Sequence, residues 1–245
     1  MANAARKIVV LAFACLVLVP LVQAQSAAPR AHTAKPANDV VRTLFAATTF
    51  DQVAISPDGK QVAWVEIAKG GSAVYAAEIS AAKPRRITAG GSTESAVAWA
   101  PDSRQIAFLS DSGKPGQQQL YLAGAAGGAP RKLTSVKGFL AAPGWSPDGK
   151  TIALLFTENA ERAAGPLVAE KPQTGVIQDA VTEQRLSLVD VATGKLRQIS
   201  PADMYVYEYA WSPDGKRFVT TAAHGNGDNN WYIAQVYTLP RPVAT

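Results

Sequence analysis

Trp211-Ser-Pro-Asp-Gly-Lys216 decides the fold, because the chain writes this stretch four times: Ile55-Ser-Pro-Asp-Gly-Lys60, Trp99-Ala-Pro-Asp-Ser-Arg104, Trp145-Ser-Pro-Asp-Gly-Lys150 and Trp211-Ser-Pro-Asp-Gly-Lys216. Proline at the second turn position presets φ near −65°, aspartate can hydrogen-bond the backbone ahead of it, and glycine supplies a positive φ. Each turn is followed by an alternating apolar run: Val62-Ala-Trp-Val65, Ile106-Ala-Phe-Leu109, Ile152-Ala-Leu-Leu155 and Phe218-Val219. Strand, turn and strand are therefore encoded together. The residue before the turn is expected to face a core, and the Lys or Arg after it to sit in water.

The turn prolines lie at 57, 101, 147 and 213, spaced by 44, 46 and 66 residues. A period of about 40–45 residues matches a four-stranded propeller blade. A third strand is expected in Ala73–Ile79, Gln119–Leu122, Arg185–Asp190 and Trp231–Tyr237. A fourth strand ending in Thr or Ser closes the first three units: Pro84-Arg-Arg-Ile-Thr88, Pro130-Arg-Lys-Leu-Thr134 and Lys195-Leu-Arg-Gln-Ile-Ser200. The last unit runs into Pro240-Arg-Pro-Val-Ala-Thr245 without one. The longer third spacing places an inserted loop within 157–184. The fold class is all-β: a partial β-propeller of about four blades of four antiparallel strands, preceded by a signal peptide.

The composition, 47% apolar and 18% charged, is that of a globular chain. Arg6 and Lys7 precede an apolar run from Ile8 to Val22, and Val22-Gln23-Ala24 offers the small residues a signal peptidase reads. Residues 1–24 read as a Sec-type signal peptide cleaved after Ala24, the apolar run being short for a span of about 20 residues. Residues 25–38 carry two prolines without periodicity and read as a flexible leader. The propeller domain is assigned to 39–245, opening with a helix-like segment through Val40, Val41, Leu44 and Phe45. The single cysteine, Cys15, lies inside the signal, so the mature chain is expected to form no disulfide. Removing Arg6 and Lys7 lowers the formal charge from +5 to +3, and no basic run with interleaved aromatics remains, which excludes a nucleic-acid partner. An exported chain, periplasmic or secreted and not membrane-bound after cleavage, is expected.

The Trp-Ser-Pro-Asp-Gly-Lys hairpins, with Leu188-Val-Asp-Val-Ala-Thr-Gly-Lys195 and Arg197-Gln-Ile-Ser200 between them, resemble the Tol-type propeller repeat. Two groups use it: the periplasmic propeller protein of the Tol system, and the N-terminal propellers of the prolyl oligopeptidase family of serine peptidases. The helix-like entry to the first hairpin, the insertion before Arg185, and the stretches Tyr207-Glu-Tyr-Ala-Trp-Ser212 and Asn229-Asn-Trp-Tyr232 resemble the second group, its dipeptidyl and acylaminoacyl peptidases included. The resemblance implies a propeller that limits peptide access to a C-terminal α/β-hydrolase domain, which these residues do not contain. That domain would carry a Gly-x-Ser-x-Gly nucleophile elbow. No such string occurs here; Gly90-Gly-Ser-Thr-Glu94 lacks the closing glycine. The alternative is a Tol-like periplasmic scaffold that binds a protein partner.

Catalysis by a Ser-His-Asp triad would need His32 or His224. The first lies in the leader and the second in a polar loop, so no catalytic residue is assigned. The turn aspartates Asp58, Asp102, Asp148 and Asp214 belong to four different blades and serve the turns, while Asp228 with its neighbouring asparagines reads as a loop. No metal is expected. Gly124, Gly127 and Gly128 lie between strands without a following helix, so no nucleotide cofactor is expected either. Glu208 stands apart among Tyr205, Tyr207 and Tyr209. The resemblance implies a propeller carboxylate that holds a substrate's free amino terminus, and it points to Glu208, Asn229, Asn230 and Trp231 as the substrate-contacting set. An incomplete ring exposes apolar blade surface and a strand edge, so the isolated chain is expected to be marginal, aggregation-prone or oligomeric. The protein recovered from an exporting host should begin at Gln25 by N-terminal sequencing; an intact Met1 terminus on the exported protein would refute the signal reading.

Overall fold

Fifteen strands form four antiparallel sheets in a computed structural model that describes residues 49–68, 70–81, 83–160, 183–225 and 228–242. The expected signal (1–24), leader (25–38) and helix-like segment at 39–45, and most of the expected insertion, lie outside the described residues. The first blade is β1 (Thr49–Ile55), β2 (Gln61–Ala68), β3 (Gly71–Glu78) and β4 (Arg85–Arg86), hydrogen-bonded in chain order. The second is β5 (Glu94–Trp99), β6 (Gln105–Ser110), β7 (Gln119–Gly124) and β8 (Arg131–Lys132). The third is β9 (Gly138–Trp145), β10 (Thr151–Glu158), β11 (Gln184–Asp190) and β12 (Leu196–Gln198). The fourth has three strands, β13 (Met204–Trp211), β14 (Arg217–His224) and β15 (Gln235–Pro240). Because β1 packs on β5 and β5 on β9, the first strand of each blade is the inner one.

The repeated turns form as the sequence predicts. Gly59, Gly149 and Gly215 donate their N–H to the carbonyls of Ser56, Ser146 and Ser212, and all three glycines have positive φ. Asp58, Asp148 and Asp214 accept the N–H of the following lysine at 3.0–3.1 Å and the hydroxyl of the preceding serine at 2.6 Å. In the second repeat Ser103 takes the positive-φ position at 59°, a conformation costly to a residue with a Cβ. Its hydroxyl accepts the N–H of Asp58 from the first blade at 3.1 Å, a contact glycine could not make.

Burial lies between blades. The inward faces of β2 and β3 (Ala63, Val65, Val74, Ala76) pack on the second blade's Trp99, Ile106, Phe108 and Tyr121. Ala107, Leu109, Leu120 and Leu122 pack on Leu140, Ile152, Leu154 and Phe156, and Ala153, Leu155, Leu186 and Leu188 on Met204, Val206, Phe218 and Ala222. Middle-blade strands are covered on both faces, so Ile106-Ala-Phe-Leu109 is buried continuously rather than in the alternation expected from the sequence.

Two hydrogen bonds recur at every interface. At the inner side, Trp99 Nε1 donates to Ala54 O (3.0 Å), Trp145 Nε1 to Ala98 O (3.1 Å) and Trp211 Nε1 to Gly144 O (3.1 Å). At the outer side, Arg85 donates to Ala125 O, Arg131 to Val191 O (3.0 Å) and Arg197 to Pro242 O (3.5 Å). Within each complete blade the terminal Thr or Ser hydroxyl accepts a third-strand N–H: Val74 to Thr88 (3.0 Å), Leu120 to Thr134 (2.9 Å) and Leu186 to Ser200 (3.1 Å).

Two expectations are corrected. Ile55 does not face a core: it is 65% exposed, because no sheet among the described residues covers that side of the first blade. Trp231 to Ile233 are not strand but part of a 3-10 helix, Asp228–Ile233, closed by Ala234 N–H to Trp231 O at 3.2 Å; the strand begins only at Gln235. Aspartate and asparagine are poor strand residues, which disfavours a ladder over Asp228-Asn-Asn230. The insertion narrows, since β10 reaches Glu158 and β11 resumes at Gln184.

Trp145→Phe removes an inter-blade donor and should cost about 1–2 kcal/mol in urea unfolding. Trp64→Phe should cost clearly less, because the buried Trp64 Nε1 has no partner among the described residues. Equal losses would deny the bond its role. Asp148 adds a pH dependence. Burial pushes its carboxyl up, but bonds from Ser146, Lys150 and Arg241 outweigh this and hold it at about 2 against the ordinary 3.8. Such a lowered carboxyl stabilises the fold above about pH 4 and ceases to as pH falls towards 2. Asp148→Asn should therefore lose under about 1 kcal/mol at pH 7, the pair being part-exposed, and nothing at pH 2.

Candidate functional site

The expected site residues converge on the fourth blade. Each inner strand carries a one-residue bulge, and in β13 it falls at Tyr207, between Val206 and Glu208. A bulge re-aims the residues that follow it. Tyr209 and Trp211 consequently turn towards the third blade, where they pack against its core. The Tyr209 hydroxyl lies 2.6 Å from Ala142 O and 2.7 Å from Ala153 O, and burial pushes its pKa far up. A Cβ on Gly144 would sit 2.9 Å from that hydroxyl, so glycine is what lets the tyrosine approach.

Glu208 consequently takes the opposite face. It pairs with Thr221, which pairs with Val236 on β15, and its side chain is exposed. No hydrogen bond to it is formed among the described residues. The 3-10 helix packs against β13 and β14 and carries Asn229, Asn230 and Trp231. Asn230 Nδ2 donates to His224 O at 3.3 Å, and Trp231 is 61% exposed with its ring edge-on to Tyr232 at 6.4 Å. All four expected residues thus belong to one blade, Glu208 in mid-strand and the other three in the loop at the end opposite the turns.

A charged group at that end was not visible in the sequence. Met204 pairs with His224, which brings Asp203 beside it: His224 Nδ1 lies 3.0 Å from Asp203 Oδ2. The His224 bond holds the Asp203 carboxyl below its ordinary value. Arg185 is bonded to Ser200 and to Gln198 Oε1 (3.0 Å), and burial pulls its pKa down against the charges of Glu158, Asp203 and Glu183. Asp203 and His224 stand 21 residues apart on separate strands, so only strand register joins them. The pair has the orienter and base of a hydrolytic triad, but among the described residues no serine hydroxyl bonds His224. No group of three metal-ligating side chains occurs among the described residues, and none of their helices is long and apolar enough to cross a membrane.

The TolB beta propeller domain family matches residues 46–188, more than half of the chain. The chain belongs to this family. No curated protein matches it. Solved structures share the fold. TolB from Acinetobacter baumannii is 22% identical, TM-score 0.50, over 77% of this chain and 42% of its own. A Mycobacterium tuberculosis puromycin-hydrolyzing peptidase is 20% identical, TM-score 0.55, over 78% of this chain and 27% of its own. Pyrococcus horikoshii acylaminoacyl peptidase is 12% identical, TM-score 0.56, over 80% and 31%. The chain spans well under two thirds of each of these structures. This TolB-type propeller domain is thus similar both to TolB and to propellers of prolyl oligopeptidase-like peptidases, and at these identities the likeness speaks for the fold.

Proposed function

We propose that this TolB-type propeller is the N-terminal, substrate-gating portion of an exported prolyl-oligopeptidase-like serine peptidase and is itself without catalytic residues. The observation that carries the reading is the placement of Glu208: an ionisable side chain left open on an inner strand, on the same blade as a loop that presents Asn230 and the exposed Trp231. A carboxylate there can pair with the ammonium of a peptide's free amino terminus, and an exposed indole offers an apolar surface to its side chain. The similarity of the fold to two peptidase structures, each covered over about a third of its length or less, supports the assignment to one portion of a larger enzyme. In this reading the mature protein is periplasmic or secreted. A TolB-like protein-interaction scaffold is the competing reading, favoured by the family match itself.

The test compares a short peptide bearing a free amino terminus with its N-acetylated twin, titrated into the 245-residue protein. The free-amino peptide should bind at least about tenfold tighter, and Glu208→Gln should erase the difference while leaving the melting temperature unchanged, as expected for an exposed, unbonded side chain. Equal binding of both peptides, or a preference that survives Glu208→Gln, would remove the substrate role and leave the scaffold reading in front.

A further inference from the structure

The three complete blades correspond residue by residue, and at one place the first differs from the others in kind. Ala73, Gln119 and Arg185 are equivalent on the third strands, paired across the ladder with Glu66, Ser110 and Phe156. In the second blade the buried Gln119 fills the space beside its strand. Its carboxamide oxygen accepts the Thr134 hydroxyl and the Val136 N–H, both at 2.9 Å, and its amide donates to Val136 O at 2.7 Å. In the third blade Arg185 does the same, donating to Ser200 Oγ at 3.3 Å and to Gln198 Oε1 at 3.0 Å. The first blade has only the methyl group of Ala73.

What is left there is a cavity of about 90 Å³. The buried Ser72 and Ala73, the half-buried Glu66 and Tyr75, and the exposed Arg86 and Gly91 line it, so it has a dry base and a wet mouth. Glu66 stands where the other blades carry Ser110 and Phe156, so the blade that lacks the filler also carries an added carboxylate. Arg86 pairs with Tyr75 and holds its guanidinium 6.0 Å from the centre of that ring. Gly90 leaves it the space, since a Cβ there would collide with the guanidinium. Among the described residues Glu66 and Arg86 form no hydrogen bond or ion pair, with each other or with a neighbour. One strand and two positions along it separate them, about 12 Å between Cα atoms, which leaves room for a small molecule between the two head groups.

We infer that this cavity binds a free α-amino acid of the size of glycine or alanine, its ammonium on the Glu66 carboxylate and its carboxylate on the Arg86 guanidinium. Opposite charges set across one small cavity select a ligand that carries both, because a ligand with one charge leaves the other group uncompensated. Size sets the upper limit: the volume is that of about three waters, enough for about five heavy atoms. The inference rests on neither functional reading above, and the site uses no residue of the fourth blade.

Glycine is the probe, followed by saturation-transfer NMR against the 245-residue protein. A ligand this small should bind with a dissociation constant on the order of millimolar. Acetate and methylammonium, which each carry one of the two charges, should compete at least about tenfold more weakly. Glu66→Gln and Arg86→Gln should each weaken glycine by a similar factor with far-UV circular dichroism unchanged. Ala73→Gln supplies the filler of the second blade, so it should abolish the signal while the melting temperature holds or rises. If that variant does not fold, Glu66→Gln decides alone. Absence of saturable glycine binding would overturn the proposal, as would acetate or methylammonium competing as well as glycine. Glycine binding that survives Glu66→Gln, or a folded Ala73→Gln, undiminished would place the ligand elsewhere and overturn it too.

Discussion

The structure depends on sheets that can bury their faces only against one another. Each blade is too thin to enclose a core, so its apolar residues are covered when the next blade is laid on it, and the indole-to-carbonyl bond fixes where that next blade lies. Trp99, Trp145 and Trp211 each reach across an interface to a strand carbonyl. A ring nitrogen at the end of a large flat side chain gives both contact area and one direction-sensitive bond, which lets the same residue glue and register a pair of sheets. The arginines of β4, β8 and β12 add a second point of attachment at the outer edge. Two points per interface leave a sheet little freedom to slide or rotate.

This construction gathers the repeated contacts at one end of the blades. The end of the blades that holds the Ser-Pro-Asp-Gly turns is occupied by turn bonds and by blade-to-blade contacts, including Arg241 to Asp148 at 2.9 Å and Arg241 over the Trp211 ring at 5.4 Å. The opposite end collects the second-to-third-strand loops and the links between blades, and there the chain departs from its repeat: the insertion after β10, the 3-10 helix after β14, the Asp203–His224 pair. Departures are affordable at that end because the interfaces are secured elsewhere.

Glu208 shows how the division reaches a single residue. Strict alternation from Met204 and Val206 would turn Glu208 onto the third blade, and the Tyr207 bulge reverses this by turning Tyr209 inward and Glu208 away. The buried tyrosine and the exposed glutamate are consequences of one extra residue in the inner strand. Gly144 completes the arrangement by leaving room for the tyrosine hydroxyl.

The repeat, the turns and the blade class were legible in the sequence, because each rests on residues within a few positions of one another: proline, aspartate and glycine act inside one turn, and apolar period acts inside one strand. The candidate set was legible only as a resemblance, and its members lie on the fourth blade, Glu208 in mid-strand and the others in the 3-10 helix. Tertiary structure alone decided the rest. The indole bonds join residues 45, 47 and 67 positions apart, and nothing local to Trp99 names Ala54 as its acceptor. Ile55 occupies a core-type position in its repeat yet lies in solvent, because burial there requires a neighbouring sheet. Trp231 has strand-like neighbours in the sequence yet lies in a 3-10 helix, closed by the Ala234 N–H on the Trp231 carbonyl, because aspartate and asparagine before it disfavour a ladder. Local chemistry wrote the blades, and which faces and side chains met was settled only when blades packed on blades.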